Sequence, residues 1–326
     1  MNGKIGLEEH FAIEDTINDS RGFVGAETWT DLRMRLLDVQ DKRLAEMDRH
    51  GIETMILSLN APAVQRIDDA HKAAEIARRA NELLAREIEK RRDRFAGFAA
   101  LAMQDPESAA AELDRCVKEY GFKGALVNGY SQLGNPDNCV YYDLKQYWPF
   151  WGAVEALSVP FYLHPREPSQ RRAYEGHPWL IGPAYGFAAE TGLHALRLLG
   201  CGLFDRYKKL TLILGHMGEN LPFTLARIDN RIAWSPIGYP ARMPISHYFH
   251  NNVYITTSGN VRTQSLIDAI LEIGSDRILF STDYPYQYRP GRDARRFLDA
   301  TPLEGADKAK FASGNWERLT GGAARL

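Results

Sequence analysis

The chain has 326 residues, of which 44% are hydrophobic and 25% are charged, and this composition is typical of a globular protein. Its formal net charge of -2 gives no electrostatic reason to expect nucleic acid or an anionic membrane as a partner. No apolar run is long enough to cross a bilayer, and the N-terminus lacks the pattern of a secretion signal, so we expect a cytoplasmic protein whose three cysteines, Cys116, Cys139 and Cys201, are reduced.

Eight short apolar runs are predicted to be β-strands. In chain order they span residues 4–7, 53–59, 95–101, 122–127, 159–163, 210–214, 253–257 and 277–281. Between them, apolar residues recur at helical spacing, most clearly over 69–92 and 106–120, and Asp105 before Pro106 provides a typical helix start. The sequence contains no obvious interdomain linker, so we expect one domain over residues 1–326.

The predicted strands are continuous apolar runs, which is typical of parallel strands buried on both faces. Eight such strands alternating with helices favour a closed (β/α)8 TIM barrel of the α/β class over an open sheet, because no Gly-x-Gly-x-x-Gly follows the first strand. Long aromatic-rich segments at 11–40, 129–151 and 166–193 follow the C-terminal ends of strands. We expect these inserted loops to form a lid and a substrate pocket over the barrel mouth.

Four of the predicted strands run directly into a carboxylate or an imidazole. Glu8 and His10 follow the first strand, His164 the fifth, His216 the sixth and Asp283 the eighth. A lone buried histidine is usually a satisfied core residue, but four such strand ends favour a site at the end of the barrel where these enzymes keep their chemistry. Glu8 and His10 are two residues apart and point to the same side, and the first and last strands are neighbours in a closed barrel.

Carboxylates and imidazoles together favour Zn2+ or Mn2+ over Ca2+ and Mg2+, which prefer oxygen ligands only. Asp283 can ligate such an ion or stand beside it as an acid or base. His216 is the remaining candidate, and Glu219, three residues later, can orient its ring.

Together these motifs resemble the decarboxylase branch of the amidohydrolase superfamily, and most of all its gamma-resorcylate (2,6-dihydroxybenzoate) decarboxylases. The resemblance rests on five features that cover nearly the whole chain: GLEEH at 6–10, the lone histidine of the fifth strand, GHMGE at 215–219, STDYP at 281–285 and GNWERL at 314–319. Two-metal hydrolases of the superfamily typically carry a carboxylated lysine on the fourth strand, where this chain has Asn128. One divalent metal ion is therefore implied.

The resemblance implies reversible, non-oxidative decarboxylation of a hydroxylated benzoate, most of all 2,6-dihydroxybenzoate to resorcinol and CO2. It also implies a homo-oligomer, either a tetramer or a dimer. The residues that it assigns are the metal ligands Glu8, His10, His164 and Asp283, the catalytic residues Asp283, His216 and Glu219, and the substrate contacts Phe23 and Arg227. From the residues alone, Phe23 is equally well explained as a staple that holds its polar loop, and Arg227 as a solvated helix residue.

Our hypothesis for the chemistry is that Asp283 protonates the ring, with His216 as the alternative proton donor. A rival interpretation is a metal-dependent hydrolase on the same scaffold, a lactonase or amidase, in which Asp283 acts as the base toward water. A third is a catalytically silent barrel that binds a small molecule or assembles with itself. The absent bridging lysine and the aromatic insertions favour the decarboxylase.

Overall fold

The computed structural model describes residues 1–287 and 294–321, and within them eight parallel strands form a closed barrel. These strands are β1 (Lys4–Phe11), β2 (Ile52–Leu59), β3 (Phe95–Gly97), β4 (Ala125–Asn128), β5 (Phe161–His164), β6 (Leu212–Leu214), β7 (Val253–Thr256) and β8 (Ile278–Leu279). Regular pairing gives one sheet of β1 to β3 and a second of β4 to β8. Single parallel bridges, Ala99 with Ala125 and Glu9 with Tyr284, join the two sheets and close the ring. The prediction of a (β/α)8 barrel is confirmed.

All eight predicted strands are present, but their ends differ from the predicted ones. β1 continues to Phe11 because its last residues pair with Leu57, Ser58 and Leu59, so Glu8 and His10 lie within the strand and not after it. β3 ends early because the pairing there becomes irregular: the N–H of Ala99 donates to the carbonyl of Gly124 and its own carbonyl accepts from Leu126.

The helices follow the strands in alternation. They are α1 (Ala26–Leu37), α2 (Lys42–His50), α3 (Ala70–Lys90), α4 (Pro106–Tyr120), α5 (Trp148–Leu157), α6 (Gly186–Gly200), α7 (Leu203–Arg206), α8 (Leu225–Trp234), α9 (Ile245–Asn252), α10 (Thr263–Ile273), α11 (Ala294–Ala300), α12 (Gly305–Ala309) and α13 (Asn315–Leu319). The four-residue turn His216–Glu219 is irregular, because Met217 and Gly218 have left-handed backbone angles. The predicted start of α4 is confirmed: the carboxylate of Asp105 accepts hydrogen bonds from the N–H groups of Glu107 (3.1 Å) and Ser108 (3.4 Å). Across the described residues, no helix is both long and apolar enough to cross a membrane.

The long segments after the strands contain short ordered pieces. These are the 3-10 turns Ile17–Phe23, Ala63–Arg66, Lys145–Tyr147, Arg171–Tyr174, Pro178–Leu180 and Ser275–Arg277, the antiparallel pair Ser131–Gln132 and Cys139–Val140, and the π-helical turn Lys310–Gly314. Two of the predicted lid segments meet: the ring of Phe23 lies 5.1 Å from that of Phe187. Ser20, in the same turn as Phe23, bonds at 2.7 Å to the hydroxyl of Tyr286, whose ring lies 5.3 Å from His10. These segments therefore reach the mouth of the barrel.

An irregularity in β1 decides which side chains enter the barrel. Gly6 pairs with Met55 and Glu9 pairs with Leu57. The stretch of β1 between these two pairs is therefore one residue longer than the stretch of β2 that it faces. Such a bulge re-aims the side chains that follow it. Ile5 and Leu7 belong to the apolar cluster inside the barrel, and after the bulge Glu8 takes the inward side, beside Tyr162 of the same cluster. The barrel interior is thus apolar up to Leu7 and polar beyond it.

Candidate metal centre

Four side chains, from β1, from the end of β5 and from the segment after β8, converge at the C-terminal end of the barrel. Glu8, His10, His164 and Asp283 are all buried, and one ligand atom from each lies within 4.8 Å of all the others. His164 Nε2 is 3.0 Å from Glu8 Oε1, and His10 Nε2 is 3.6 Å from Asp283 Oδ1. The structure therefore brings together all four of the residues that the family resemblance assigned as ligands.

Each ligand is held by a different local feature. The bulge in β1 turns Glu8 inward, and His10 is steadied by Ser58, whose hydroxyl lies 3.3 Å from Nδ1 and leaves Nε2 facing the cluster. His164 is the last residue of β5. Asp283 follows β8 in a left-handed backbone conformation, with φ of 55°.

Glu9 holds the segment that carries Asp283. Its buried carboxylate accepts hydrogen bonds from the N–H groups of Thr282 (2.8 Å) and Tyr284 (3.2 Å) and from the Thr282 hydroxyl. Burial is the largest influence on this carboxyl and raises its pKa to about 7. No local sequence pattern indicated a role for Glu9, because its partners lie at the far end of the chain.

The residues fit a divalent cation. Glu8 Oε1 and His10 Nε2 are buried inside the cluster and have no hydrogen-bond partner. A buried polar atom without a partner costs free energy, so both atoms need a ligand that the protein itself does not provide. Two carboxylate and two imidazole groups are suitable donors for Mn2+ or Zn2+.

The ionisation of the cluster follows from its burial. Burial opposes the charge on Glu8, but His216 and His164 outweigh it and hold the pKa of Glu8 below its usual range. Burial lowers the pKa of His10, which favours the neutral imidazole that a metal requires. Burial raises the pKa of Asp283, and the negative charge of Glu8 adds to that effect.

His216 lies at the opening of the cluster. Its side chain is 26% exposed, whereas those of the four candidate ligands are 8% exposed or less, and its Nε2 lies 3.7 Å from Glu8 Oε1 and 3.8 Å from Asp283 Oδ2. Nδ1 is 2.7 Å from Glu219 Oε1, which is the contact expected from the sequence. Burial opposes the charged imidazolium, but Glu219 and Glu8 outweigh it and hold the pKa of His216 well above its usual range.

The two predicted substrate contacts differ in their placement. Phe23 is half-buried where the two lid segments meet, and it packs so closely against Gly182 that a Cβ there would lie 2.9 Å from the phenyl ring. This packing agrees with the staple interpretation, and the contact of Phe23 with substrate stays a prediction. Arg227 is exposed on α8 and, within the part of the chain that the structure describes, forms no ion pair or hydrogen bond through its side chain.

Several supporting residues were not found from the sequence. The hydroxyl of Tyr162 donates to Glu8 Oε2, and Thr256 and Ser258 continue a polar chain behind it. The spacing of Tyr162 and His164, two residues apart on one strand, was a signal that both face the barrel interior. The partner of Tyr162 could not be read from that spacing.

Known proteins resemble the chain over almost its whole length. Residues 31–321 match the family model described as amidohydrolase. The gamma-resorcylate decarboxylase of Polaromonas sp. (strain JS666 / ATCC BAA-500) is 59% identical over 98% of this chain and 98% of that protein. A crystal structure of dihydroxybenzoic acid decarboxylase from Polaromonas sp. JS666, with bound manganese and the inhibitor 2-nitroresorcinol, matches with a TM-score of 0.95 at 59% identity, over 98% of this chain and 97% of that one. A crystal structure of 2,6-dihydroxybenzoate decarboxylase complexed with 2,6-dihydroxybenzoate also has a TM-score of 0.95, at 58% identity over 98% of this chain and 100% of that one.

The resemblance noted in the sequence is thereby confirmed. The family model spans the segments that carry His164 and Asp283, and the manganese-bound crystal structure matches 98% of the chain. The chain belongs to the amidohydrolase family.

Proposed function

We propose that this protein is a metal-dependent carboxy-lyase that converts 2,6-dihydroxybenzoate to resorcinol and CO2 without oxidation, and that the reaction is reversible. The observation that carries the proposal is the buried cluster of Glu8, His10, His164 and Asp283, in a chain 59% identical to a gamma-resorcylate decarboxylase. We also propose that residues 1–326 form one catalytic domain. A cytoplasmic location stays a prediction from the sequence.

We propose that Glu8, His10, His164 and Asp283 hold one divalent ion. Mn2+ is favoured because a relative of 59% identity was crystallised with manganese, and the ligand types also suit Zn2+. When bound, the ion would supply positive charge that orients the substrate carboxylate and an adjacent phenolic oxygen and keeps that oxygen electron-rich.

Protonation of the ring must precede loss of CO2. Direct departure of CO2 would leave an electron pair in the plane of the ring, where the π system cannot delocalise it. A proton added to the carbon that bears the carboxylate gives a dearomatised intermediate, which an adjacent phenolic oxygen stabilises. Cleavage of the bond to CO2 then returns the electron pair to the ring and restores aromaticity.

Asp283 is the proposed donor of that proton. Burial raises the pKa of its carboxyl, and the nearby charge of Glu8 acts in the same direction, so the group holds a proton more readily than an exposed aspartate. Its Oδ2 lies 3.8 Å from His216 Nε2, so His216 can return a proton to it between turnovers.

His216 is proposed to face the phenolic oxygen of the substrate. Oε1 of Glu219 lies 2.7 Å from Nδ1 of His216, which orients the imidazole ring and favours its charged form. Nε2 can therefore donate a hydrogen bond to a phenolate. We further propose that Phe23 covers the substrate ring, since it joins two lid segments at the barrel mouth. Arg227 remains a proposed substrate contact that rests on the family resemblance alone.

We also propose that the protein is a homo-oligomer, a tetramer or a dimer. Phe223, Trp234 and Ile237 lie in or beside α8 and are 83%, 77% and 91% exposed, which is unusual for large apolar side chains on a free surface. Light scattering of the purified protein measures the number of copies. A Trp234→Glu variant is expected to shift the equilibrium toward the monomer.

The proposed activity is tested by incubating the Mn2+-loaded protein with 2,6-dihydroxybenzoate and, in parallel, with the other mono- and dihydroxybenzoates and a panel of lactones and amides. Release of CO2 and resorcinol is expected, and high bicarbonate should carboxylate resorcinol. Hydrolysis of a lactone or amide without CO2 release would instead indicate the hydrolase, which is disfavoured because Asn128 stands at the place of the bridging lysine. No reaction with any substrate would indicate a silent barrel.

A further inference from the structure

A chain of buried hydroxyl groups begins at Oε2 of Glu8, in the candidate metal centre. Tyr162 on β5, Thr256 on β7 and Ser258 after β7 are all fully buried. The Tyr162 hydroxyl contacts Glu8 Oε2, Thr256 Oγ1 lies 2.9 Å from the Tyr162 oxygen, and Ser258 Oγ lies 2.8 Å from Thr256 Oγ1. The last member, Ser258, accepts a hydrogen bond of 3.0 Å from the backbone N–H of His216.

The two ends of this chain determine the direction of every bond in it. A backbone N–H can only donate, and the ionised carboxylate that a metal requires can only accept. Each hydroxyl has a single proton. Ser258 therefore donates to Thr256, Thr256 to Tyr162, and Tyr162 to Glu8. Each hydrogen bond in such a chain polarises the next one, which strengthens the final bond from Tyr162 to Glu8 Oε2.

This arrangement separates the two oxygens of Glu8. Oε2 accepts from Tyr162 and has a longer contact of 3.4 Å with Thr256, whereas the buried Oε1 has no hydrogen-bond partner and lies 3.0 Å from His164 Nε2. Gly215 closes the space on the other side, because a Cβ there would lie 3.0 Å from Oε2 and 3.2 Å from both the Tyr162 and the Ser258 oxygen atoms. The carboxylate cannot rotate without breaking these contacts.

We propose that Tyr162 is a positioning residue. Through this one-directional chain of hydrogen bonds it occupies Oε2 of Glu8, leaves Oε1 to bind the metal, and links Glu8 to the backbone of His216. The inference deepens the proposed function, since it rests on a divalent ion at this site. It requires no particular substrate. Hydrogen-bonded partners of metal ligands raise metal affinity by orienting the ligand, and their loss typically costs about 10- to 100-fold.

The test measures Mn2+ binding to the metal-free protein without substrate, by following the electron paramagnetic resonance signal of free Mn2+. For Tyr162→Phe we expect binding about 10- to 100-fold weaker than in the wild type. The matched control is Tyr147→Phe, because Tyr147 is equally buried and its hydroxyl donates to the carbonyl of Met103 (2.9 Å), outside this chain. The control should bind Mn2+ as the wild type does.

A second variant, Thr256→Val, keeps a β-branched side chain on β7 and removes the hydroxyl that donates to Tyr162, so it serves if Tyr162→Phe does not fold. The spectrum of bound Mn2+ should also change in Tyr162→Phe, because Glu8 can then present both of its oxygens. In Thr256→Val it should change in the same direction but less, because Tyr162 keeps its bond to Glu8 and loses only the donor behind it. Wild-type affinity together with a wild-type spectrum in the folded variants would overturn the proposal. A wild-type protein that binds Mn2+ but releases no CO2 would overturn the proposed reaction and leave this inference standing.

Discussion

We expect Glu9→Gln to loosen the segment that carries Asp283. The buried Glu9 carboxylate accepts from the N–H groups of Thr282 and Tyr284, the two residues on either side of Asp283. Asp283 itself has a φ of 55°, which a residue other than glycine keeps only when its surroundings impose it. Glu9 therefore holds a candidate catalytic group in an unfavourable backbone conformation.

The size of the effect follows from the number of acceptors. Glutamine has almost the same shape as glutamate, but one of its two terminal atoms is a nitrogen that donates. Glu9 Oε1 accepts from Thr282 N and Oε2 from Tyr284 N, so the nitrogen would face a donor in either orientation. One buried N–H then loses its acceptor, which costs about 1–3 kcal/mol of unfolding free energy. A displacement of Asp283 by about 1 Å would lower kcat by about 100-fold.

Urea unfolding and the steady-state rate of CO2 release measure the two effects separately. Glu112→Gln is a matched control, because the Glu112 carboxylate is also largely buried and binds Arg115 (2.7 Å) and Asn81 (2.8 Å), on helices outside the site. The control should lose stability and keep the kcat of the wild type. A Glu9→Gln variant that is less stable but turns over at the wild-type rate would refute the positioning role of Glu9.

Three further predictions follow from the site and its surroundings. Asp283→Asn should lower kcat by about 10²- to 10⁴-fold while metal analysis still finds the ion, and wild-type turnover would remove Asp283 as the proton donor. Chelation should abolish CO2 release and added Mn2+ should restore it; full activity of a protein shown to be metal-free would contradict the proposed centre. The unfolding free energy should fall as the pH drops below 6.5, because burial lowers the pKa of His194 to about 3, so the proton is taken up by the unfolded chain first. The contribution of His194 to stability is fully present above pH 6.5 and is lost toward pH 3, with a slope of up to about 1.4 kcal/mol per pH unit. His194→Gln should reduce this slope and the exposed control His71→Gln should not; an unchanged slope in His194→Gln would show that His194 is not responsible.

The order of the strands and the identity of the candidate ligands could be predicted from the sequence. Continuous apolar runs require burial on both faces, and parallel strands in a barrel bring their C-terminal ends together. Glu8, His10, His164, His216 and Asp283 could therefore be identified as candidates without coordinates, since each lies at or just after the end of an apolar run, and the family resemblance then assigned the metal to Glu8, His10, His164 and Asp283. The spacing of His216 and Glu219 likewise indicated their contact.

The sequence by itself thus determined the barrel, the residue types at its mouth and the kind of ion that they suit, because these depend on composition and spacing along the chain. Only the tertiary structure decided which way those residues point. The bulge after Gly6 is a feature of the pairing between β1 and β2, and the hydrogen bonds from the segment around Asp283 to Glu9 depend on closure of the ring between β1 and the segment after β8. The contact of Tyr162 with Glu8 likewise crosses the barrel interior. Register and closure are set by pairing between distant segments, and no local pattern contains that information.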